Sequence, residues 1–225
     1  MILVGNWKSC ILQQQIQSWL QQYRSSEYVT QVLLVPFPYL KWIAEYQSLQ
    51  SQDWILGAQD VSSLQATAAV STDMLVDCKV QVVCIGHSEV RAAAHLSYAD
   101  IKKRVQAVEA TVMTTLLCIA NVQDEELDVL PEQLTKELWI AYEPQWAIGQ
   151  EQCADVNFIH DQLLSLDECL KKRYHNVSDK IRWLYGGSVN ASNITALAQI
   201  SLLDGFLVGR SSLKYEDWSS LIQCI

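Results

Sequence analysis

Short apolar segments alternate with segments of helical spacing along the whole chain, and this alternation constrains the fold more than any other feature. The apolar segments are continuous runs rich in β-branched or aromatic residues, whereas strands with one solvated face alternate apolar and polar residues. Continuous runs are typical of strands buried on both faces, as in parallel sheets. We identify eight of them, at Ile2–Val4, Val32–Val35, Trp54–Leu56, Val80–Ile85, Thr114–Ile119, Leu138–Tyr142, Ile181–Tyr185 and Phe206–Val208.

The segments between these runs carry apolar residues at helical spacing, which predicts amphipathic helices with one face against a core. The clearest stripe steps by three or four residues from Val156 to Leu170. Asp155 and Asp217 stand where helix N-caps or first-turn acids are expected. The other stripes consist of Ile11, Leu12, Ile16, Trp19, Leu20 and Tyr23, of Leu40, Ile43, Ala44 and Leu49, and of Ile101, Val105 and Val108.

Eight strands alternating with helices predict an α/β fold whose parallel strands are joined by helical crossovers. An open sheet and a closed (β/α)8 barrel both fit this order, and closure is favoured because it leaves no edge strand. The chain has 225 residues, a length that a single barrel domain accommodates. We find no linker, low-complexity tract or shift in composition, so we expect one domain over residues 1–225.

Composition argues against several classes of partner. The formal net charge is −9, and the densest basic run, Lys171–Arg173, is interpreted as a solvated helix end, so we expect no nucleic-acid partner. No apolar run approaches the roughly 20 residues of a membrane span, and Asn6 and Lys8 interrupt the apolar N-terminus, so neither a span nor a signal peptide is predicted. Seven scattered cysteines indicate reduced thiols and a cytoplasmic location.

Glycine is scarce, with 8 residues in 225, or about half the usual share of roughly 7%. Scarcity suggests that each remaining glycine stands where no other residue fits. All eight fall at or beside the predicted strand ends, and we expect them to surround the active face. They are Gly5, Gly57, Gly86, Gly149, Gly186, Gly187, Gly205 and Gly209.

Ionisable residues follow several predicted strands at their carboxyl ends, where barrel enzymes place their sites. Lys8 follows the first strand, His87 the fourth and Glu143 the sixth, and glycine-bearing turns follow the seventh and eighth. A glutamate can move a proton, a neutral histidine and a lysine can stabilise an oxyanion, and glycine-turn amides can bind phosphate. Singly, these residues could be a surface charge, a structural histidine and a salt-bridge partner. Together they suit proton abstraction beside a carbonyl in a phosphorylated substrate.

These segments resemble the triosephosphate isomerase family, and the resemblance spans the whole chain. It implies a TIM barrel that interconverts dihydroxyacetone phosphate (glycerone phosphate) and D-glyceraldehyde 3-phosphate through an enediolate, in glycolysis and gluconeogenesis. It also implies a homodimer that needs no cofactor or metal. The segments that carry it are Gly5–Lys8, Gly57–Gln59, Ile85–Glu89, Ala141–Pro144, Trp146–Gly149, Tyr185–Val189, Asp204–Gly205 and Leu207–Gly209.

The resemblance also implies a role for each matching residue. Glu143 would be the base and His87 the electrophile, a pairing for which this family is itself a well-known example. Lys8 would neutralise substrate charge and Asn6 would position the substrate. Binding of the phosphate by main-chain amides is implied at Gly149, Ser188, Gly209 and Arg210. Supporting roles are implied for Glu89, beside the lysine, for Trp146, in the closing lid from Pro144 to Gly149, and for Tyr185 and Ser188, which latch the lid.

The chain departs from the family at several positions. Arg210 replaces a glycine, which leaves three possibilities open. Its main-chain amide binds the phosphate with a negative φ, or the anion pocket is altered, or its guanidinium group adds a positive charge. Glu151 stands where a glycine is usual, which could stiffen or strain the lid. The third loop, Gln59 to Thr67, is short. The acidic and basic residues that the family usually has at the positions of Ala69 and Val90 are both absent, so a dimer would be weaker or held differently.

Two other functions remain open from the sequence. One is a phosphate-binding barrel that acts on a different sugar or indole phosphate, which would need a different acid–base set. The other is an inert relative kept as a binding or structural module, which the loss of Asn6, Lys8, His87 or Glu143 would favour.

Overall fold

The fold is taken from a computed structural model that describes residues 1–121, 127–144, 146, 154–174 and 179–225. The predictions made for Gly149, for Glu151 and for most of the lid lie outside the described residues.

Eight parallel strands form a closed barrel in sequence order, with β8 returning to pair with β1. The predicted α/β (β/α)8 barrel is confirmed, and each of the eight apolar runs contributes a strand. The strands are β1 Ile2–Asn6, β2 Thr30–Val35, β3 Ile55–Ala58, β4 Val82–Ile85, β5 Thr114–Ile119, β6 Leu138–Tyr142, β7 Ile181–Gly187 and β8 Gly205–Val208.

Helices connect the strands in the part of the chain that the structure describes. They are α1 Gln13–Gln22, α2 Leu40–Gln50, α3 Thr72–Asp77, α4 Ser88–Ala94, α5 Tyr98–Glu109, α6 Val156–Arg173, α7 Ile194–Leu197 and α8 Tyr215–Gln223. Short 3₁₀ helices cover Phe37–Tyr39 and Arg210–Ser212. None of the described helices is both long enough and apolar enough to cross a membrane.

The predicted helix faces are confirmed except at two leucines. Along α6 the stripe is buried from Ile159 to Leu170, and Val156 is partly buried. The Asp155 carboxylate caps the helix by accepting from the backbone N–H groups of Asn157 and Phe158. The stripe residues of α5 are buried as well. Leu12 and Leu49 are instead 68% and 81% exposed. Leu12 precedes the first turn of α1, and Leu49 lies in the last turn of α2, so neither follows the buried face of its helix.

Two apolar layers explain why the strands are continuous apolar runs. Along β5, Leu116 and Cys118 lie in the layer inside the barrel, whereas Leu117 and Ile119 belong to the layer shared with the helices. Successive side chains of a strand point to opposite faces, so both faces of each strand must be apolar. The inner layer is formed by Val4, Val32, Leu34, Val82, Cys84, Leu116, Cys118, Trp139, Ala141, Leu184 and Leu207.

Gly205 corrects the expectation that every glycine surrounds the active face. It begins β8 and pairs with Ile2 at the start of β1, so it lies at the opposite end of the barrel. A Cβ atom on Gly205 would overlap the carbonyl oxygen of Ile2. This glycine is therefore required by the close approach of two backbones.

Gly205→Ala is expected to destabilise the protein by roughly 1–3 kcal/mol, because the added methyl group must push β1 and β8 apart. Urea unfolding followed by circular dichroism measures the free energy of unfolding, and Ser201→Ala, at an exposed position before β8, is the matched control. Equal stability of the Gly205→Ala variant and the wild type would contradict this role.

Candidate active site

The predicted catalytic and phosphate-binding residues that the structure describes, which exclude Gly149, lie at the carboxyl ends of five strands, on one rim of the barrel. Asn6 ends β1, and Lys8 follows two residues later. His87 follows β4, and Glu143 comes directly after β6. Ser188 follows β7, and Gly209 and Arg210 follow β8. Because all strands run parallel, these ends meet at one side of the barrel.

His87 and Glu143 face each other in a buried pair. The Nε2 atom of His87 lies 3.6 Å from Oε1 of Glu143, and the two side chains are 7% and 6% exposed. His87 is the N-cap of α4, and its Nδ1 accepts a hydrogen bond from the backbone N–H of Glu89 at 3.3 Å. An Nδ1 atom that accepts carries no proton, so a neutral imidazole presents its N–H at Nε2, towards Glu143.

Glu143 is held by its backbone and has one free carboxylate oxygen. Its N–H donates to the carbonyl of Ile119 at 2.7 Å, which extends the pairing of β6 with β5 by one residue. Its Oε2 atom is buried and has no hydrogen-bond partner among the described residues. Gly186 makes room for this side chain, since a Cβ atom there would lie 2.7 Å from Cγ of Glu143. A buried oxygen without a donor is free to take a proton from a bound molecule.

Lys8 has a left-handed backbone, with a φ of 49°. Such a conformation is costly for a residue other than glycine, and strain of this kind concentrates at functional sites. Two neighbours stabilise it: the Asn6 side chain accepts from the N–H of Lys8 at 3.0 Å, and Gln59 donates to its carbonyl at 2.9 Å. In the sequence, Gln59 is part of a motif that carries the family resemblance, but its contact with Lys8 was not predicted.

The ammonium group of Lys8 is fixed at the rim by Glu89. Its Nζ atom lies 2.5 Å from Oε1 of Glu89, with side chains 29% and 57% exposed. A pair this exposed contributes only about 0–1 kcal/mol to stability. It nevertheless directs the positive charge towards the turn after β8, where a Cβ atom on Gly209 would lie 3.8 Å from Nζ.

The turn after β8 is anchored to the core by two buried indoles. Trp7 and Trp19 both donate their Nε1–H to the carbonyl of Ser212, at 3.0 and 3.1 Å. The Ser212 hydroxyl in turn donates to the carbonyl of Gly209 at 2.6 Å. Arg210 is exposed and begins the 3₁₀ helix without a positive φ. The first of the three possibilities for Arg210, a main-chain amide at negative φ, is therefore compatible with the backbone.

Tyr185 and Trp146 both contact the start of α6. Tyr185 is fully buried in β7, and its hydroxyl accepts from the N–H of Ala154 at 3.3 Å. Trp146 is 58% exposed, and its ring makes an edge-to-face contact with Phe158, with centroids 5.5 Å apart. After β7, the side chain of Asn193 donates to the carbonyl of Ser188 at 2.7 Å.

Arg91 supports the rim and was missed by sequence reasoning. Its guanidinium donates to the carbonyl of Gly86 through Nε and to that of Cys118 through Nη2, both at 2.6 Å. The two bonds join the ends of β4 and β5 beneath His87, where Gly86 has a left-handed φ of 72°. An arginine in the helix after β4 carries no signal that distinguishes it from a surface residue.

Fold and site together define a (β/α)8-barrel enzyme with a buried carboxylate, an imidazole and an ammonium group at its carboxyl-end rim. The model of the family "Triosephosphate isomerase" matches residues 1–225. The chain belongs to the triosephosphate isomerase family, as its sequence predicted, and the general function of that family is a step of glycolysis.

Individual relatives agree with this assignment over nearly their whole lengths. The triosephosphate isomerase of Mycoplasma pneumoniae is 32% identical, over 98% of this chain and 97% of the relative. That of Neisseria meningitidis serogroup A is 34% identical, over 98% and 95%. The crystal structure of triosephosphate isomerase from Bartonella henselae superposes with a TM-score of 0.86 at 25% identity, covering 99% of this chain and 98% of that one.

Proposed function

We propose that this protein interconverts dihydroxyacetone phosphate and D-glyceraldehyde 3-phosphate, in glycolysis and gluconeogenesis. The observation that carries the proposal is the buried pair of His87 and Glu143, 3.6 Å apart, with a free carboxylate oxygen and an imidazole whose Nδ1 is already occupied. A base and a neutral electrophile side by side are what proton transfer next to a carbonyl requires.

The proposed reaction moves one proton between neighbouring carbons and one between the oxygens they carry, and it consumes nothing else. The Glu143 carboxylate removes a proton from the carbon beside the carbonyl, and the C–H electron pair forms the C=C bond of an enediolate. The Nε2–H of His87 and the ammonium of Lys8 stabilise the negative oxygens. Glu143 then returns the proton to the other carbon, where the C=C electron pair forms the new C–H bond. The hydroxyl proton passes through His87 from the first oxygen to the second, so that the first oxygen becomes the new carbonyl. Asn6 contributes by supporting the backbone of Lys8.

Local groups must bind the phosphate, because a protein with a net charge of −9 repels a phosphate monoester at long range. We assign the binding to the main-chain N–H groups of Gly149, Ser188, Gly209 and Arg210, with Lys8 adjacent to Gly209. Glu89 holds Lys8 in this position. Tyr185 and Trp146 act at the start of α6, as supports for the lid.

A coupled assay with glyceraldehyde 3-phosphate tests the function directly. Turnover of this substrate to dihydroxyacetone phosphate is the expected result. A folded protein that converts another sugar or indole phosphate instead would favour the alternative barrel enzyme. A folded protein that binds triose phosphate without converting it would favour an inert relative, and either result would overturn the proposal.

We further propose one catalytic domain over residues 1–225, a cytoplasmic location and a homodimer. The free thiols at the six described cysteines fit a reducing compartment. The third loop folds back through a hydrogen bond from Ser62 N–H to the Val70 carbonyl, at 2.8 Å. Leu64 and Phe37 line a cavity of about 330 Å³ beside this loop and are 64% and 37% exposed, which leaves apolar surface for a second copy to cover.

Sedimentation at micromolar concentration is expected to give twice the chain mass of 25.5 kDa. Leu64→Ser should weaken the dimer, because it removes apolar surface that association would bury. Leu49→Ser, at a leucine on α2 that is still more exposed than Leu64, should leave the mass unchanged. A monomeric wild type, or an equal effect of both substitutions, would contradict the proposed interface.

A further inference from the structure

A side-chain hydrogen bond joins the turn after β7 to the turn after β8. The hydroxyl of Ser211 donates to the carbonyl of Val189 at 3.1 Å, although the two residues are 22 positions apart. Val189 is buried and follows Ser188, and Ser211 is partly buried in the 3₁₀ helix Arg210–Ser212. The bond therefore connects the neighbours of two main-chain N–H groups that we assign to the phosphate.

The pairing of β7 with β8 ends before these two turns begin. Gly187 and Val208 form the last pair between the strands, and Ser188 and Gly209 come directly after them. Segments beyond the end of a ladder have no strand partner to fix their separation, and connecting segments are more mobile than the elements they join. The Ser211 bond supplies a contact between the two turns at this point.

Other hydrogen bonds stabilise each turn internally. The Asn193 side chain donates to the carbonyl of Ser188 at 2.7 Å. The carbonyl of Gly209 accepts from the hydroxyl of Ser212 at 2.6 Å and from its N–H at 2.9 Å. Each of these bonds lies within one turn, whereas the Ser211 bond crosses from one turn to the other.

A phosphate group that accepts from both turns needs their N–H groups at a fixed separation. Hydrogen bonds weaken steeply once donor and acceptor leave the preferred distance and angle. Donors that are held in place before the ligand arrives also avoid the cost of ordering them on binding. With a net charge of −9, long-range attraction does not compensate for a misplaced donor. Phosphate binding therefore depends on how the two turns are held together.

We propose that Ser211 is a positioning residue for the substrate phosphate. Its bond to Val189 keeps the N–H of Ser188 in register with the N–H groups of the turn after β8, so that one phosphate group accepts from both turns. This inference rests on the proposed function, in which these N–H groups bind the phosphate. The base and the electrophile follow β6 and β4, so we expect Ser211 to affect phosphate binding more than proton transfer.

Kinetics of the Ser211→Ala variant test the proposal. The variant loses the hydroxyl and keeps the Cβ atom. KM for glyceraldehyde 3-phosphate and the inhibition constant of inorganic phosphate should both rise roughly fivefold, as for one lost hydrogen bond, while kcat stays within about twofold of wild type. Inorganic phosphate lacks the carbon chain, so it reports on the anion site alone. Ser211→Thr retains the hydroxyl and should recover most of both losses.

Ser220→Ala is the matched control. The Ser220 hydroxyl donates to the carbonyl of Glu216 at 2.8 Å within α8, so the substitution removes a bond of the same kind that touches neither turn. KM and the inhibition constant of inorganic phosphate should match the wild type. Melting temperatures measured by circular dichroism check that all the variants are folded.

An unchanged inhibition constant in Ser211→Ala, an equal rise in Ser211→Thr or in Ser220→Ala, or a fall in kcat with KM unaltered would overturn the inference. Failure of the wild type to isomerise triose phosphate would refute the proposed function instead. Titration with inorganic phosphate followed by ³¹P NMR then decides the inference without turnover. Weaker binding to Ser211→Ala than to wild type supports it, and equal binding, or binding to neither protein, contradicts it.

Discussion

Replacing Glu143 with Gln is expected to lower kcat for triose phosphate isomerisation by roughly 10³-fold, because the amide has the shape of the carboxylate but cannot take up a proton. The coupled assay with glyceraldehyde 3-phosphate measures the rate. Thermal unfolding followed by circular dichroism checks that the variant is folded. The wild-type side chain is buried and its Oε2 atom has no hydrogen-bond partner among the described residues, so an amide nitrogen or oxygen at that place breaks no hydrogen bond.

Glu137→Gln is the matched control for this prediction. Glu137 precedes the other end of the same strand, β6, where its carboxylate pairs with Arg182 at 2.7 Å. If chemistry belongs to the carboxyl-end rim, this variant keeps its wild-type rate. Equal rates in the Glu143→Gln variant and the wild type would remove Glu143 from the mechanism.

The second large effect is expected at Lys8. Lys8→Met keeps the length of the side chain and removes its charge, so kcat/KM for glyceraldehyde 3-phosphate should fall roughly 10²–10³-fold, as when a preorganised donor to an oxyanion is lost. The loss should exceed any effect on stability, because the ion pair with Glu89 is largely exposed. Steady-state kinetics measure kcat/KM, and urea unfolding measures the free energy of unfolding.

Lys41→Met serves as the control for charge alone. Lys41 forms an exposed ion pair with Asp77 at 3.6 Å on the outside of the barrel. The Lys41→Met substitution changes the net charge of the protein by the same amount as Lys8→Met. A similar fall in kcat/KM for both variants would mean that long-range charge, and not the position of the Lys8 ammonium, is responsible.

The fold was predictable because burial on both faces leaves a simple pattern in the sequence. Thr114–Ile119 and Leu138–Tyr142 were placed with their observed bounds. The predicted strand ends were less exact where backbone pairing, and not side-chain hydrophobicity, sets the limit of a strand. For example, β7 continues through Gly186 and Gly187, which carry no apolar side chain. Leu12 and Leu49 show the same limit, since periodicity alone does not mark where a helix begins or ends.

The site was predictable in its chemistry and less so in its geometry. Lys8, His87 and Glu143 could be chosen because together they follow the carboxyl ends of several apolar strands, and because the segments around them resemble one family. The left-handed backbone of Lys8 and the bonds from Arg91 could not, because they depend on contacts between residues distant in sequence.

The anchoring of Ser212 by Trp7 has a consequence for how the chain acquires its structure. The two residues are 205 positions apart, and β1 pairs with β8 as well as with β2. During synthesis from the N-terminus, β1 has one unpaired edge until nearly the whole chain has been made. Contacts this distant in sequence slow folding, and an unpaired strand edge can associate with other chains meanwhile. The turn after β8 is thus completed among the last parts of the molecule, so turnover can report that folding has finished.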